Sequence, residues 1–356
     1  MVVAQKAIDE SKLMALLGRA VADWGAMGGG ALVLIGDALG LYRALAGAGP
    51  LAVVELAERT GTSEAYLRPW LIDQAAGGYV EYDPTTDRYS LPYEHELALA
   101  DETSPYFIIG GFQLFTAVAE AGPRIARAFR TGEGMAWGEH NPLLFSATER
   151  SFRTAYAGNL VSSWIPALDG VHEKLAAGAT VADIGCGHGA STILLAQAYP
   201  ASRFFGFDNH APSIERARQA ALEAGVADRV TFDVAAAQEF PGGGYDLIAY
   251  FDCLHDRGDP LGAVKHARET IAADGTVLVV EPMAGERVEE NLNPVGRVFS
   301  AASVLICTPN SLASGGQGLG TLATERQLRE LFTAGGFAHF RRATETPFNR
   351  IFEAHP

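Results

Sequence analysis

From residue 179 onward the chain alternates β-prone and helical runs, and this alternation limits the fold more than any other feature of its 356 residues. "TVADIG", "SRFFGFD", "VTFDV", "YDLIAYFD" and "TVLVVEP" read as strands, because β-branched and aromatic residues gather there in short runs. Helical stretches such as "GASTILLAQAY" and "APSIERARQAALEAG" separate them. Strands joined through helices must lie parallel, so an α/β, doubly wound sheet covered on both faces is expected. The closing "AHFRRATETPFNRIFEAHP" reads as two further strands joined at Pro347, an antiparallel terminal hairpin.

The grammar before this region is different. In "LAVVELAERTG" the spacing predicts a helix with Val54, Leu56 and Ala57 on one side, stopping at Gly61. Ser63 then caps a second helix whose inward positions would be Leu67, Trp70, Leu71 and Ala75. After Gly77 and Gly78, "YVEY" and "RYSL" flank the turn-rich "DPTTD". Helix, turn, helix and hairpin together resemble a winged helix, giving a mainly helical domain over 1–100. A DNA reader would need a basic second helix, whereas this one sets Glu64 and Asp73 against Arg68, and Pro69 should distort it. A packing or dimerisation module is therefore expected.

Residues 101–175 read as a helical linker region that roofs a pocket. Trp137, His140, Arg153 and Tyr156 are its candidate substrate-binding residues, since pockets favour domain junctions. Residues 176–356 form the cofactor-binding domain. The formal charge of −15 argues against nucleic-acid or acidic-membrane partners. Three cysteines without CxxC spacing suit a reducing cytoplasm, and no metal set is expected. The first residues lack the profile of a secretion signal, so a cytoplasmic protein is the expectation.

"VADIGCGHGA", residues 181–190, closes the first strand of the alternation. Gly185, Gly187 and Gly189 let the backbone turn sharply and approach a ligand, and with Ala190 the run even satisfies a dinucleotide fingerprint. Asp183 shifts the balance. A carboxylate two residues before the first glycine repels a pyrophosphate and favours an ammonium group. S-adenosylmethionine (SAM) carries such a group and a sulfonium, and has no phosphate. Asp208, at the end of the second strand, is placed to accept both ribose hydroxyls.

"VADIGCGHGA", "FFGFDNH", "YDLIAYFD" and "TVLVVEP" together resemble the motif series of class I SAM-dependent methyltransferases. "LGLYRALAGAGPLAVVELAERTGTSEAYL" is similar to the winged-helix-like dimerising domain of small-molecule O-methyltransferases. The resemblance implies a Rossmann-like seven-stranded sheet, a homodimer and a small-molecule acceptor. It also implies cofactor contacts from Asp183, Gly185, Cys186, Gly187, Asp208 and Asn209. Val234, Ala235 and Ala236 would edge the adenine, and Phe251 and Asp252 would line the methionine arm. The acid often found at Ala236 is absent, so Gln238 or backbone groups must substitute.

"DCLHDRGDP" sets His255 just past the fourth strand, where an imidazole near pKa about 6.5 suits proton removal. The resemblance makes His255 the general base and Glu281 its orienting acid, with Asp256 read as the cap of the next helix. Two positions depart from the family: Arg257 replaces a tryptophan, and Leu322 stands where a second acid is expected. Either change leaves nitrogen or carbon acceptors open. The segment 291–320, with its glycine-rich tail, reads as a mobile lid over the acceptor. A nicotinamide-dependent oxidoreductase and a DNA-binding regulator are the rival readings.

Overall fold

A computed structural model describes residues 8–356. The start of the N-terminal domain expected at residue 1 lies outside them. The chain divides into two compact units, Met1–Thr116 and Ala117–Pro356, with the division falling inside one helix.

The first unit opens with the 29-residue helix α1 (Glu10–Ala38), followed by α2 (Leu41–Leu45), α3 (Val53–Thr60) and α4 (Glu64–Ala76). The wing is an antiparallel pair, β1 (Glu81–Asp83) and β2 (Arg88–Ser90), and α5 (Tyr93–Leu99) follows. The core gathers Val33, Leu45, Leu56, Leu67 and Trp70. Each such buried side chain contributes about 1.5–3 kcal/mol.

Three expectations need correction here. Val53, not Val54, faces inward beside Leu56 and Ala57, and Val54 is exposed. Gln74, which the periodicity left out, is buried on α4 with Leu67, Trp70 and Leu71 and accepts a hydrogen bond from the Tyr42 hydroxyl, while Ala75 is only partly buried against the same core. Helix α4 also runs unbroken through Pro69. Gly36 on α1 is required, since a Cβ there would lie 2.5 Å from the Trp70 ring.

In the second unit α6 (Ile109–Ala119), which straddles the division, leads to α7 (Gly122–Thr131), α8 (Leu143–Asn159) and α9 (Val171–Ala177). The alternating part runs β3 (Thr180–Ile184), α10 (Ala190–Ala198), β4 (Arg203–Asp208), α11 (Ala211–Glu223) and β5 (Val230–Val234). It continues through β6 (Tyr245–Phe251), α12 (Pro260–Thr270) and β7 (Ile271–Pro282). Helices α13 (Pro294–Ala302), α14 (Thr308–Ala313) and α15 (Glu325–Ala334) precede the hairpin β8 (His339–Glu345) and β9 (Asn349–His355).

The seven strands are ordered β5-β4-β3-β6-β7-β9-β8, with β9 antiparallel to both of its neighbours. Winding starts at β3, proceeds to one edge, then restarts at β6 on the other side. The winding therefore reverses between β3 and β6, whose carboxyl ends lie side by side at the place where α/β sheets bind ligands.

The expected lid is largely helical. Residues 294–313 form α13, one π-helical turn (Ser303–Cys307) and α14, leaving only the glycine-rich stretch after Ala313 irregular. Asp256 is not a helix cap. It lies in a 3-10 turn, while Asp259, before Pro260, accepts the Gly262 N–H and caps α12. Among the described residues no helix is long and apolar enough to cross a membrane.

Candidate active site

The three loop glycines serve different ends. All have positive φ, at 78° for Gly185, 54° for Gly187 and 80° for Gly189. A Cβ on Gly189 would strike the Phe232 ring at 2.5 Å, whereas one on Gly187 would meet open space. At Gly185 it would lie 2.0 Å from Arg257 Nη2 and 2.8 Å from Cys253 Sγ, so the β3 and β6 loops touch at this point. The loop's donors are turned inward. Gly185 and Cys186 N–H donate to the Phe207 carbonyl, Gly187 N–H to Asp208 Oδ2, and Gly189 N–H to the Cys186 carbonyl. These four N–H groups are thus spent within the protein rather than offered to a phosphate.

Asp183 is 1% exposed, with Oδ2 accepting from Ser191 Oγ and Thr192 Oγ1, each at 2.6 Å. Its Oδ1 is sealed from water and has no partner. Burial pushes this carboxyl up to about 6, although the two hydroxyls work to lower it. Asp252 repeats the pattern at the end of β6. It holds a strained φ of 49°, Oδ1 accepts from Asn349 Nδ2 at 2.9 Å, and Oδ2 is sealed and unpartnered. Burial, aided by the nearby Glu281 charge, pushes it up to about 8. Two buried carboxyls with a spare oxygen each fit a cationic ligand and oppose a pyrophosphate.

Asp208 accepts N–H groups on both oxygens, from Gly187 at 3.0 Å and His210 at 2.8 Å, which fixes the carboxylate and leaves second lone pairs free. Asn209 and Val234 are exposed, Ala235 and Ala236 half-buried, and Phe251 and Cys186 buried. Ala235 N–H donates to the Asp208 carbonyl, which draws the loop after β5 to the end of β4. The Arg257 guanidinium lies over Gly185, with Nε donating to the Cys253 carbonyl.

His255 and Glu281 come together at the ends of β6 and β7. Nδ1 of His255 lies 2.7 Å from Glu281 Oε2, and the side chains are 2% and 0% exposed. Burial works to lower the imidazole pKa, but Glu281 and Cys307 together outweigh it and hold the group well above the ordinary histidine value. On the other face of the ring, Nε2 lies 3.3 Å from Cys307 Sγ. Sequence reasoning missed this neighbour, and also Ser191, Thr192 and Asn349. Only the hydroxyl pair, opening the helix after the glycines, left a local signal.

Asn310 ties the roof to this centre. Its Nδ2 donates to the carbonyl and Oδ2 of Asp256, and its Oδ1 accepts the Trp137 N–H at 2.9 Å. Trp137 packs on Phe145 (5.4 Å between ring centres), which packs on His210 (4.6 Å). His140 is 5% exposed, with neither ring nitrogen partnered, and burial lowers its pKa. Arg153 is turned to Glu149 at 3.7 Å, which also receives His188 at 3.6 Å. Tyr156 belongs to the core, between Trp164 and Phe251, rather than to an open pocket wall. Among the described residues no cluster of metal-ligating side chains occurs.

Residues 175–335 match the model of a methyltransferase domain, and residues 28–101 that of an Rv2258c-like winged HTH domain. The 27-O-demethylrifamycin SV methyltransferase of Amycolatopsis mediterranei (strain S699) is 30% identical over 131 residues, 35% of this chain. The match spans 48% of that relative, about half its length. Human N-acetylserotonin methyltransferase, solved with SAM, superposes with a TM-score of 0.70 at 18% identity, covering 100% of this chain and 99% of that one. Mitomycin 7-O-methyltransferase gives 0.66 at 20% identity, over 97% and 100% of the two chains. CalO1, a methyltransferase of calicheamicin biosynthesis solved with bound SAH, gives 0.67 at 21%, over 99% and 100%. Sheet order, glycine loop and the two matches agree: the chain joins a winged HTH domain over residues 28–101 to a methyltransferase domain over residues 175–335.

Proposed function

We propose that the protein transfers a methyl group from SAM to a hydroxyl of a small-molecule acceptor, with His255 as general base and Glu281 as its orienting acid. The observation that carries this reading is the buried His255–Glu281 pair, set on the same strand ends as the unpartnered Asp252 oxygen. SAM, when bound, supplies a methyl group on a sulfonium, an excellent leaving group. What the chain must add is alignment and a nucleophile freed of its proton.

Asp183 and Asp252 hold the cationic amino-acid end through the oxygens that lack partners. Asp208 takes the ribose hydroxyls, Gly185, Cys186, Gly187 and Asn209 form the floor, and Val234, Ala235, Ala236 and Phe251 line the adenine and methionine arms. His255 accepts the acceptor's proton at Nε2 while Glu281 steadies the positive ring from Nδ1. Trp137 and His140 bound the acceptor from the roof. Arg153, engaged by Glu149, and Tyr156, in the core, contribute by shaping that roof.

The exposed apolar side chains Leu13, Leu17, Val21 and Trp24, at helical spacing on α1, support a homodimer built on that helix. A cytoplasmic location fits the three free cysteines. The acidic second helix of the winged domain argues against DNA as partner.

A screen with methyl-labelled SAM and a panel of phenols, alcohols and amines tests the reading. Transfer to hydroxyls that is lost in His255→Ala, with SAH binding retained, supports it. Transfer to amines alone, or undiminished turnover in His255→Ala, overturns the base assignment.

A further inference from the structure

We infer that Cys307 is a base-activated nucleophile, and that Cys307, His255 and Glu281 together form a covalent site for soft electrophiles such as α,β-unsaturated carbonyl compounds. The inference goes beyond methyl transfer and needs neither SAM nor an acceptor.

The geometry is that of a nucleophile, its base and the base's orienter. Cys307 Sγ lies 3.3 Å from His255 Nε2, and His255 Nδ1 lies 2.7 Å from Glu281 Oε2. Burial pushes the Cys307 thiol up while the imidazole pulls it down, so the sulfur keeps a proton that the ring is placed to take. Cys307 closes a π-helical turn, a distortion that recurs at functional sites.

The other two thiols lack such a base. Cys186 Sγ faces the Gly187 carbonyl, and Cys253 Sγ donates to the Ile184 carbonyl, with burial pushing Cys253 up to about 12. Cys307 lies inside a continuous helical run from 294 to 313, whose N–H groups are spent on helical carbonyls. With no pair of donors turned toward an oxyanion, acyl transfer is disfavoured. Conjugate addition fits, because the developing charge is delocalised within the electrophile.

In that step the S–H proton moves to His255 Nε2 and a C–S bond forms at the β-carbon. The π pair shifts toward the carbonyl as an enolate, and the imidazolium returns the proton to the α-carbon. The net change is addition of S–H across the double bond, with no oxidant or co-reactant.

N-ethylmaleimide on the full-length protein, followed by peptide mass mapping over time, tests this. Cys307 is expected to label about tenfold or more faster than Cys186 and Cys253. His255→Asn should slow Cys307 by a similar factor while the other two rates stay fixed, which also reports an intact fold. If His255→Asn speeds all three through unfolding, the conservative Glu281→Gln decides, again by selective slowing of Cys307. Equal labelling of the three thiols, an inert Cys307, or a Cys307 rate indifferent to Glu281→Gln would overturn the inference. Methyl transfer is read in a separate assay, so either reading can fail alone.

Discussion

Glu281 Oε2 receives His255 Nδ1 at 2.7 Å where β6 and β7 end side by side, and neither side chain reaches water. A buried imidazole needs such a partner to bear charge at all. The pairing decides both the ring's orientation and the pH at which it is free to act.

Because Glu281 and Cys307 together hold the His255 pKa above its ordinary value against burial, the base form grows as pH rises through the raised value. Turnover should therefore climb on an acid limb lying above about pH 6.5. Glu281→Gln should move that limb downward, and His255→Ala should cost about 10²–10⁴-fold in kcat. Initial rates across pH, with SAH affinity measured in parallel, check this.

Asp252 carries the opposite linkage to an ordinary surface carboxylate. Its folded pKa is raised from 3.8 to about 8, so the folded state binds the proton more tightly and loses stability as pH rises between these values. Asp252→Asn keeps an amide at the strained φ of 49°, which asparagine tolerates. It should raise Tm by several degrees at pH 8 and have little effect at pH 4. Thermal melts at the two pH values read the difference.

The same two carboxyls make cofactor affinity depend on pH. Asp183 at about 6 and Asp252 at about 8 must give up protons before their oxygens can hold an ammonium group. SAH binding should tighten from pH 5 to 9, and Asp252→Asn should flatten the upper part of that rise. Calorimetric titrations at several pH values measure the slope.

Gly185→Ala and Gly187→Ala separate crowding from backbone strain. Both residues have positive φ, but only at Gly185 would the new methyl meet Arg257 and Cys253. Gly187→Ala should cost about 1 kcal/mol, and Gly185→Ala about 3 kcal/mol with loss of SAH binding. Urea denaturation gives both figures.

If α1 is the dimer helix, Leu17→Glu with Trp24→Glu should yield a monomer by light scattering, leaving the SAH affinity of each chain unchanged. A wild-type monomer would remove the dimer from the account.

Much of this fold was legible because short-range patterns dictate it. The strand-helix alternation and the turn at Pro347 anticipate β3 to β9, whereas the pairing of His255 with Glu281, 26 residues apart, was implied by the family resemblance alone. What escaped depends on distant contacts. Cys307 lies 52 residues from His255 in sequence, and no local pattern announces its approach. Asp256 loses the cap role because the chain makes a 3-10 turn first, leaving Asp259 beside Pro260 as the cap. The segment expected to be a lid holds more helix than its glycines suggested, because all of them but Gly296 follow the helices of 294–313. Gln74 is buried by a tyrosine 32 residues away, which helical periodicity cannot reveal.

The most direct test of the account is isothermal titration of the wild-type protein with SAH and, separately, with NAD. One SAH site per chain, no heat from NAD, and SAH binding that weakens in Asp183→Asn are the predicted results. Saturable binding of NAD, or SAH affinity untouched by Asp183→Asn, would contradict it.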